Sequence, residues 1–487
     1  MKPISPLTFL AGISLLHADG PYQTTGFKTG EVTSTTAIVW TRTTAKPNPN
    51  PASAPTLTFH YRNGETMTPD LNARPKHPSN DFKKVEYSTK GEARDIRYAA
   101  PGTGGKVRVS YWPKGKKSES KQTTWEKVDP EADYTKQFAL SDLRPDTRYA
   151  LFVETQSPSG EEGQSLMGGF RTAPEKQDAS RVVFTVSTGQ AFRNRDGPKG
   201  FEIYPAMLKL DPNFFVHTGD ILYYDGLAKT PALAHWHWQR MYSLPTNVDF
   251  HRRVASYFIK DDHDTLVNDC WPSMYPKKMF KLTFEKGLEI FRQQVPMGKI
   301  TYRTMRWGKD LQVWMVEGRD FRSPNNAPDG PSKTIWGKEQ KAWFKKTFAA
   351  SDATFRILIS PTPVVGPDRS NKHDNHANKD FSHEGNEIRD FLATQRNVAV
   401  VCGDRHWQYH SIDPRTKVKE FSCGPASDQH AGGWSNKDYR KTIHRYLNVT
   451  GGFLSGTVER KGGNPILTFR FHGSKGKALR EFSLEAN

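Results

Sequence analysis

His217-Thr-Gly-Asp-Ile-Leu-Tyr-Tyr-Asp225 follows directly on the strand-like run 212–216. An apolar β-type run that breaks at Gly-Asp puts Asp220 at the C-terminal end of a strand. Open α/β sheets gather their ligands at those ends. Two later stretches repeat the pattern: Lys260-Asp-Asp-His-Asp264 and Val400-Val-Cys-Gly-Asp-Arg-His406. One such burst of Asp and His is an ordinary loop, whose side chains satisfy nearby backbone groups. Several in a single α/β segment predict one shared metal site.

Outward from these motifs, the runs 182–186, 214–217, 255–260, 311–317, 355–360 and 397–402 predict strands. Stretches 204–210, 233–242 and 339–348 predict helices between them, which argues for a layered α/β region. In the helix at 233–242, the spacing of Trp236, Trp238 and Tyr242 predicts packing, with His235 and His237 as structural companions. The segments 453–460 and 466–471, joined by Lys461-Gly-Gly-Asn464, predict a hairpin, with a third strand over 478–484. Toward the N-terminus, 26–32, 36–42, 150–154 and 169–174 read as strands of a β-sandwich. Within it, Leu143-x-Pro145-x-Thr147-x-Tyr149 resembles the tyrosine corner of fibronectin type III domains, where a buried Tyr anchors a loop. A basic stretch from Lys83 to Lys127, rich in Gly, Lys and Ser, reads as a solvated insertion.

Composition agrees with a multidomain globular chain: 487 residues, 35% hydrophobic and 12% aromatic, too long for one ordinary core. No uninterrupted apolar run is long enough to span a bilayer. The formal charge of +18 attracts anions over distance but does not by itself make a nucleic-acid reader, so no sequence-specific nucleic-acid partner is expected. Cys270, Cys402 and Cys423 have no CxxC spacing and suggest neither a disulfide framework nor a thiolate zinc site. Residues 1–18, one Lys followed by an apolar stretch and a small residue before Asp19, read as a secretion signal, which predicts a secreted or periplasmic protein. The expected organisation is a signal at 1–18, a sandwich domain at 19–175 and a second domain at 176–487 whose last strands come from 446–487.

The chemistry that suits the motifs is phosphate-ester hydrolysis. A pair of cations can clamp phosphoryl oxygens and lower the pKa of a bound water. A carboxylate with two oxygens can bridge them, and Asp220 is the natural candidate. Gly219-Asp-x-x-Tyr-x-Asp225, Asp261-Asp-His-Asp264 and Gly403-Asp-x-His406 together resemble the alkaline phosphatase D (PhoD-like) branch of the calcineurin-type metallophosphoesterases. The resemblance extends over Gly26 to Leu484. It implies an N-terminal fibronectin-like β-sandwich plus a metallophosphoesterase α/β/β/α sandwich with a C-terminal β-hairpin. It also implies two metal ions and a metal-bound hydroxide attacking an anionic phosphate ester, mono- or diester. By the same resemblance Asp220 bridges, Tyr223 and His406 join it on the first metal, and Asp404 holds the second with Asn268 or Asp262. His263 assists the leaving oxygen, and Asp264 orients His263.

The chain departs from that family in reading Thr188-Gly189-Gln190 where the family has Ser-Cys-Gln. Gly189 cannot replace an iron-binding cysteine. Its absence turns the first site toward magnesium, calcium or manganese, whereas Tyr223 favours iron. Gln190, Arg193 and His376 are candidates for substrate binding, the arginine as a bidentate donor. Arg319 and Arg322 read as structural partners of nearby carboxylates. The competing readings are a hydrolase of another ester, such as a sulfate, and a non-catalytic secreted protein that binds polyanions.

Overall fold

The computed structural model of the chain describes residues 20–486. The secretion signal read at 1–18 lies outside the described residues. Two large sheets stack face to face. One has six strands in the order Ala255–Ile259, Phe214–Thr218, Val182–Ser187, Gly452–Lys461, Asn464–Gly473 and Ala478–Glu485. The other has seven, in the order Arg303–Trp307, Leu311–Met315, Phe355–Ser360, Val398–Cys402, Lys419–Cys423, Gln408–Ile412 and His444–Asn448.

The alternation of side chains along these strands builds the layers. Phe214, Val216, Tyr257 and Ile259 point between the sheets, where they meet Trp307, Val313, Ile357 and Val401 of the other sheet. Phe214 stacks on Trp307 at 4.8 Å between ring centroids, and Phe421 on Phe469 at 4.2 Å. Phe215 and Phe258 point the other way, into a cluster with helices Ile203–Leu208, Pro231–Tyr242, Pro245–His251 and Phe284–Gln294. On the far side Trp314, Leu358 and Val400 pack against helices Gly337–Ala349 and Ser382–Ala393. The result is the expected α/β/β/α sandwich, with the hairpin 452–473 and its third strand completing the first sheet. The three cysteines are free and buried.

The N-terminal region is all β and sandwich-like. Phe27–Gly30, Ala37–Arg42 and Thr135–Leu140 form one sheet, and a five-stranded sheet is built around Lys106–Pro113, Arg148–Gln156 and Glu162–Arg171. Val39, Phe138, Val109, Leu151 and Val153 fill the space between. The Tyr149 hydroxyl accepts the Arg144 N–H at 2.8 Å, so this tyrosine does anchor its loop.

The basic stretch is not a solvated insertion. Lys106–Pro113 pairs along its whole length with Arg148–Gln156, its Val107 and Val109 buried. Phe82–Tyr87 joins Leu57–Tyr61 and Thr66–Met67 in a small sheet. Phe59 and Phe82 of that sheet, with Ile96 nearby, pack against Leu227, Leu233 and Trp236 of the α/β region. Lysines on the outer face of these strands masked an inner apolar face, because a half-buried strand hides only alternate residues.

Candidate metal centre

The three Asp/His bursts do converge. The strands ending at Ser187, Thr218 and Ile259 run parallel, and their C-terminal ends lie beside the end of Val398–Cys402 in the other sheet. Thr188 ties the sheets together: its hydroxyl donates to the Gly219 carbonyl at 3.0 Å and accepts the Asp404 N–H at 3.2 Å. Gly403 allows that approach, since a Cβ there would stand 2.5 Å from the Thr218 hydroxyl. Asp220 and Asp404 both take left-handed backbone, φ 55° and 61°. Aspartate tolerates this because its short polar side chain can bond locally.

A cavity of about 150 Å³ opens at this point. Asp220, Tyr223, His263, Asn268, Asp404 and His406 line it, joined by Arg74, Arg193, Asp225, Arg369, Lys372 and His430. Asp220 is 1% exposed. Its Oδ2 accepts the Tyr223 hydroxyl at 3.1 Å and lies 3.9 Å from His406 Nε2. The Tyr223 oxygen is 3.2 Å from the same His406 nitrogen. The other Asp220 oxygen, Oδ1, is buried with no partner among the described residues. The Asp220 carboxylate also lies within 4.8 Å of Asp262 and His263.

The electrostatics ask for a cation. Burial pushes the Asp220 carboxyl well above the usual range; the His263 charge pulls it down, and Asp262, Asp261 and Asp264 add to the rise. Burial, then the charge of Asp220, raises the Tyr223 phenol as well. Burial, reinforced by His430 and Arg405, holds His406 well below its ordinary value, so it is a neutral ring with a lone pair to offer. Carboxylate, phenol and imidazole atoms 3.1–3.9 Å apart have the spacing of ligands that meet on one ion, and the orphaned Asp220 oxygen fits a second. His263 is not part of that donor set. Its Nδ1 lies 2.6 Å from Asp225 Oδ1. Burial alone would lower it, but Asp225, Asp262 and Asp220 together hold it well above its ordinary value, as an imidazolium.

Residues 237–451 match the model of a family described as PhoD-like phosphatase. The chain carries a PhoD-like phosphatase domain. It is therefore a phosphoric ester hydrolase, and the reading as a mere polyanion binder falls away. The matched span contains Asp262, His263, Asp404 and His406 but begins after Asp220. A solved structure of PhoD superposes with TM-score 0.70 at 14% identity, covering 96% of this chain and 91% of that one. The purple acid phosphatase PPD1 from yellow lupin (Lupinus luteus) seeds superposes with TM-score 0.60 at 11% identity, covering 94% of this chain and 74% of that one. Among curated protein sequences, none matches the chain.

Around the cavity of the PhoD-like domain, several expectations need correction. Asp264 does not orient His263: its carboxylate accepts the backbone N–H groups of Ile221 (3.0 Å) and Asp261 (2.6 Å), and burial pushes it up to about 8. Asp225 does the orienting instead, and its second oxygen accepts the Asn268 N–H at 3.1 Å. Gln190 is fully buried, taking the hydroxyl of Tyr204 and, at 3.4 Å, the amide of Asn247; it does not line the cavity. His376 is also buried away from it, 3.0 Å from Glu384 and edge-on to Trp336. Arg193 does reach the cavity, its guanidinium 5.5 Å from the centre of the Tyr223 ring.

Arg319 is a structural partner, bonded to Asp261 at 2.6 Å and close to Asp374 and Asp262. Arg322 bonds the Asp374 carbonyl and the Asn325 amide instead of a carboxylate. Asp262, Asp269 and Asp374 also cluster, but Lys372 pairs with Asp269 and Arg319 with Asp374, so those two belong to an internal ion-pair network, and Asp262, 3.8 Å from Arg319, lies at its edge toward Asp220. Arg74, Arg369, Lys372 and His430 were not among the predicted site residues. Nothing in their local sequence marks them, because each arrives from a loop whose course depends on the packed sheets.

Proposed function

We propose that the chain hydrolyses phosphate esters at a centre of two cations that share Asp220. Tyr223 and His406 would hold one ion with it. Asp404, with Asp262 or Asn268, would hold the other. What supports this reading above all is Asp220 itself: a buried carboxylate with one oxygen unpartnered, beside neutral donors that have no internal counter-charge. An unpaired buried charge is costly, and a ligand cation removes the cost. When bound, such cations draw charge from phosphoryl oxygens and make water a nucleophile near neutral pH.

The rest of the work falls to side chains of this chain. Arg193, Arg74 and Arg369 present guanidinium groups to the remaining anionic oxygens of the ester. His263, its Nδ1 fixed by Asp225, keeps Nε2 for the leaving oxygen and is held as the proton donor. The ester group would sit in the cavity of about 150 Å³ that these side chains line. The export read from residues 1–18 would put this activity outside the cytoplasm.

The test pairs metal content with a substrate panel: an aryl phosphate, a bis-aryl phosphate and an aryl sulfate. Two ions per chain and turnover of at least one phosphate are expected. Turnover of the sulfate alone, or full turnover by a metal-free protein, would overturn the reading.

A further inference from the structure

We propose that His430 is a fourth protein ligand, beside Asp220, Tyr223 and His406, on one side of the centre, and that it makes that side selective for a transition ion such as zinc or iron. The inference rests on the two-cation reading and assigns a ligand within it. The His430 ring lies 4.1 Å from that of His406 and 5.0 Å from that of Tyr223, centroid to centroid, and it lines the same cavity. Its Nδ1 is 2.9 Å from the Gly189 carbonyl oxygen. A carbonyl can only accept, so Nδ1 carries the proton and Nε2 keeps its lone pair. The one hydrogen bond of the ring among the described residues is at Nδ1, which leaves Nε2 facing the cavity side without a protein partner there. A histidine with one nitrogen held by a backbone carbonyl and the other bare is the arrangement of a metal-binding imidazole.

The backbone holds this ring in place from two directions. The Gly432 N–H donates to the His406 carbonyl at 3.0 Å, and the Ser427 hydroxyl to the Asn194 carbonyl at 2.6 Å. The loop is thereby tied both to the ligand strand and to the segment after Gly189. Gly189 supplies the room. Its φ is +60°, and a Cβ there would stand 3.1 Å from Pro425 and 3.6 Å from the His406 ring. Any side chain at 189 would thus start beside the His406 imidazole; with none, the loop from Cys423 carries His430 there instead. A set of two imidazoles, a phenol and a carboxylate suits zinc or iron better than magnesium or calcium, which prefer oxygen alone.

The experiment uses the full chain, stripped with chelator and reloaded with Zn²⁺ or Co²⁺ alone. The His430→Gln and His430→Ala variants should hold one of the two ions at least about 10- to 100-fold more weakly. The visible bands of the Co²⁺ protein should shift in both, while the other ion stays bound and the circular dichroism is unchanged. X-ray absorption on the zinc-loaded wild type should count two imidazoles on one ion, a readout that does not depend on any variant folding. One imidazole there, or variants with wild-type affinity and unchanged bands, would overturn the His430 assignment and leave the two-cation centre standing. A wild type that takes up calcium or magnesium but neither Zn²⁺ nor Co²⁺ would overturn the selectivity as well. A wild type that binds no ion of any kind would remove the centre and the assignment together.

Discussion

Asp220 and Asp374 are both fully buried aspartates in the same part of the molecule, and their surroundings are opposite. Asp374 sits among Lys372, Arg319 and Arg405, whose charges outweigh its burial and hold its carboxyl well below the usual range. Asp220 faces a cavity, keeps one oxygen unpartnered, and is driven well above that range by burial. The first carboxylate is neutralised by the fold. The second is left for something the fold does not supply. Asp262 stands between the two settings, 3.8 Å from Arg319 and within 4.8 Å of Asp220. In an acid-rich site, the presence or absence of an internal cation separates architecture from chemistry better than the count of acids does.

The comparison can be broken most sharply at Asp220. Asp220→Asn should lower kcat/KM by at least about 10⁴-fold, about 5.4 kcal/mol of transition-state stabilisation. It should also lose metal, as read by steady-state kinetics and elemental analysis. The same variant, metal-stripped, should unfold no more easily than the stripped wild type, because burial already disfavours that charge more than the neighbouring His263 favours it. A stripped variant that unfolds more easily than the stripped wild type would mean that Asp220 is structural after all.

Arg319→Leu tests the other setting. It leaves Asp261 and Asp374 buried without their guanidinium, a change that typically costs about 3–5 kcal/mol. Denaturant unfolding of the metal-stripped protein should show that loss in full. A midpoint equal to the wild type's would show the network to be dispensable.

Glu384 gives the smallest effect and a pH axis. Burial raises its carboxyl, but hydrogen bonds from His376, Thr334 and the Ile335 N–H outweigh burial and hold it at about 2. A folded pKa below the unfolded value of about 4.3 means stability that is present above that value and lost as pH falls toward 2. The contribution is at most about 3 kcal/mol. Glu384→Gln should therefore flatten the acid limb of an unfolding curve while leaving turnover at neutral pH within about twofold. A large loss of turnover would return His376 and its partner to the active site.

Much of this was readable along the chain because it is local. A strand that ends in Gly-Asp carries its own β-type alternation, its glycine and its acid within a few residues. Asp220, Asp262, Asp404 and His406 stood out in that way, as did the terminal hairpin and the layered α/β class, whereas Tyr223 was marked only by the family resemblance. Helices Pro245–His251, Phe284–Gln294 and Ser382–Ala393 did not stand out, nor did strand Gln408–Ile412. Their patterns are short and broken by charged residues, and packing overrides weak local preference. The histidine partner shows the same limit at one residue. Asp264 is adjacent to His263 in sequence, yet it bonds backbone N–H groups, and Asp225 comes in from another loop to hold the imidazole.

By itself the order of residues determined that three strand ends would present acids and imidazoles, since the signals for a strand, its stop and its ligands travel together. Only the packed structure decided which of those acids meet a cation from within the chain and which do not, that Gln190 and His376 turn inward, and that His430 arrives beside His406. Those outcomes depend on distances between segments from 8 to 241 residues apart, and such distances exist only once two sheets have closed on a common core.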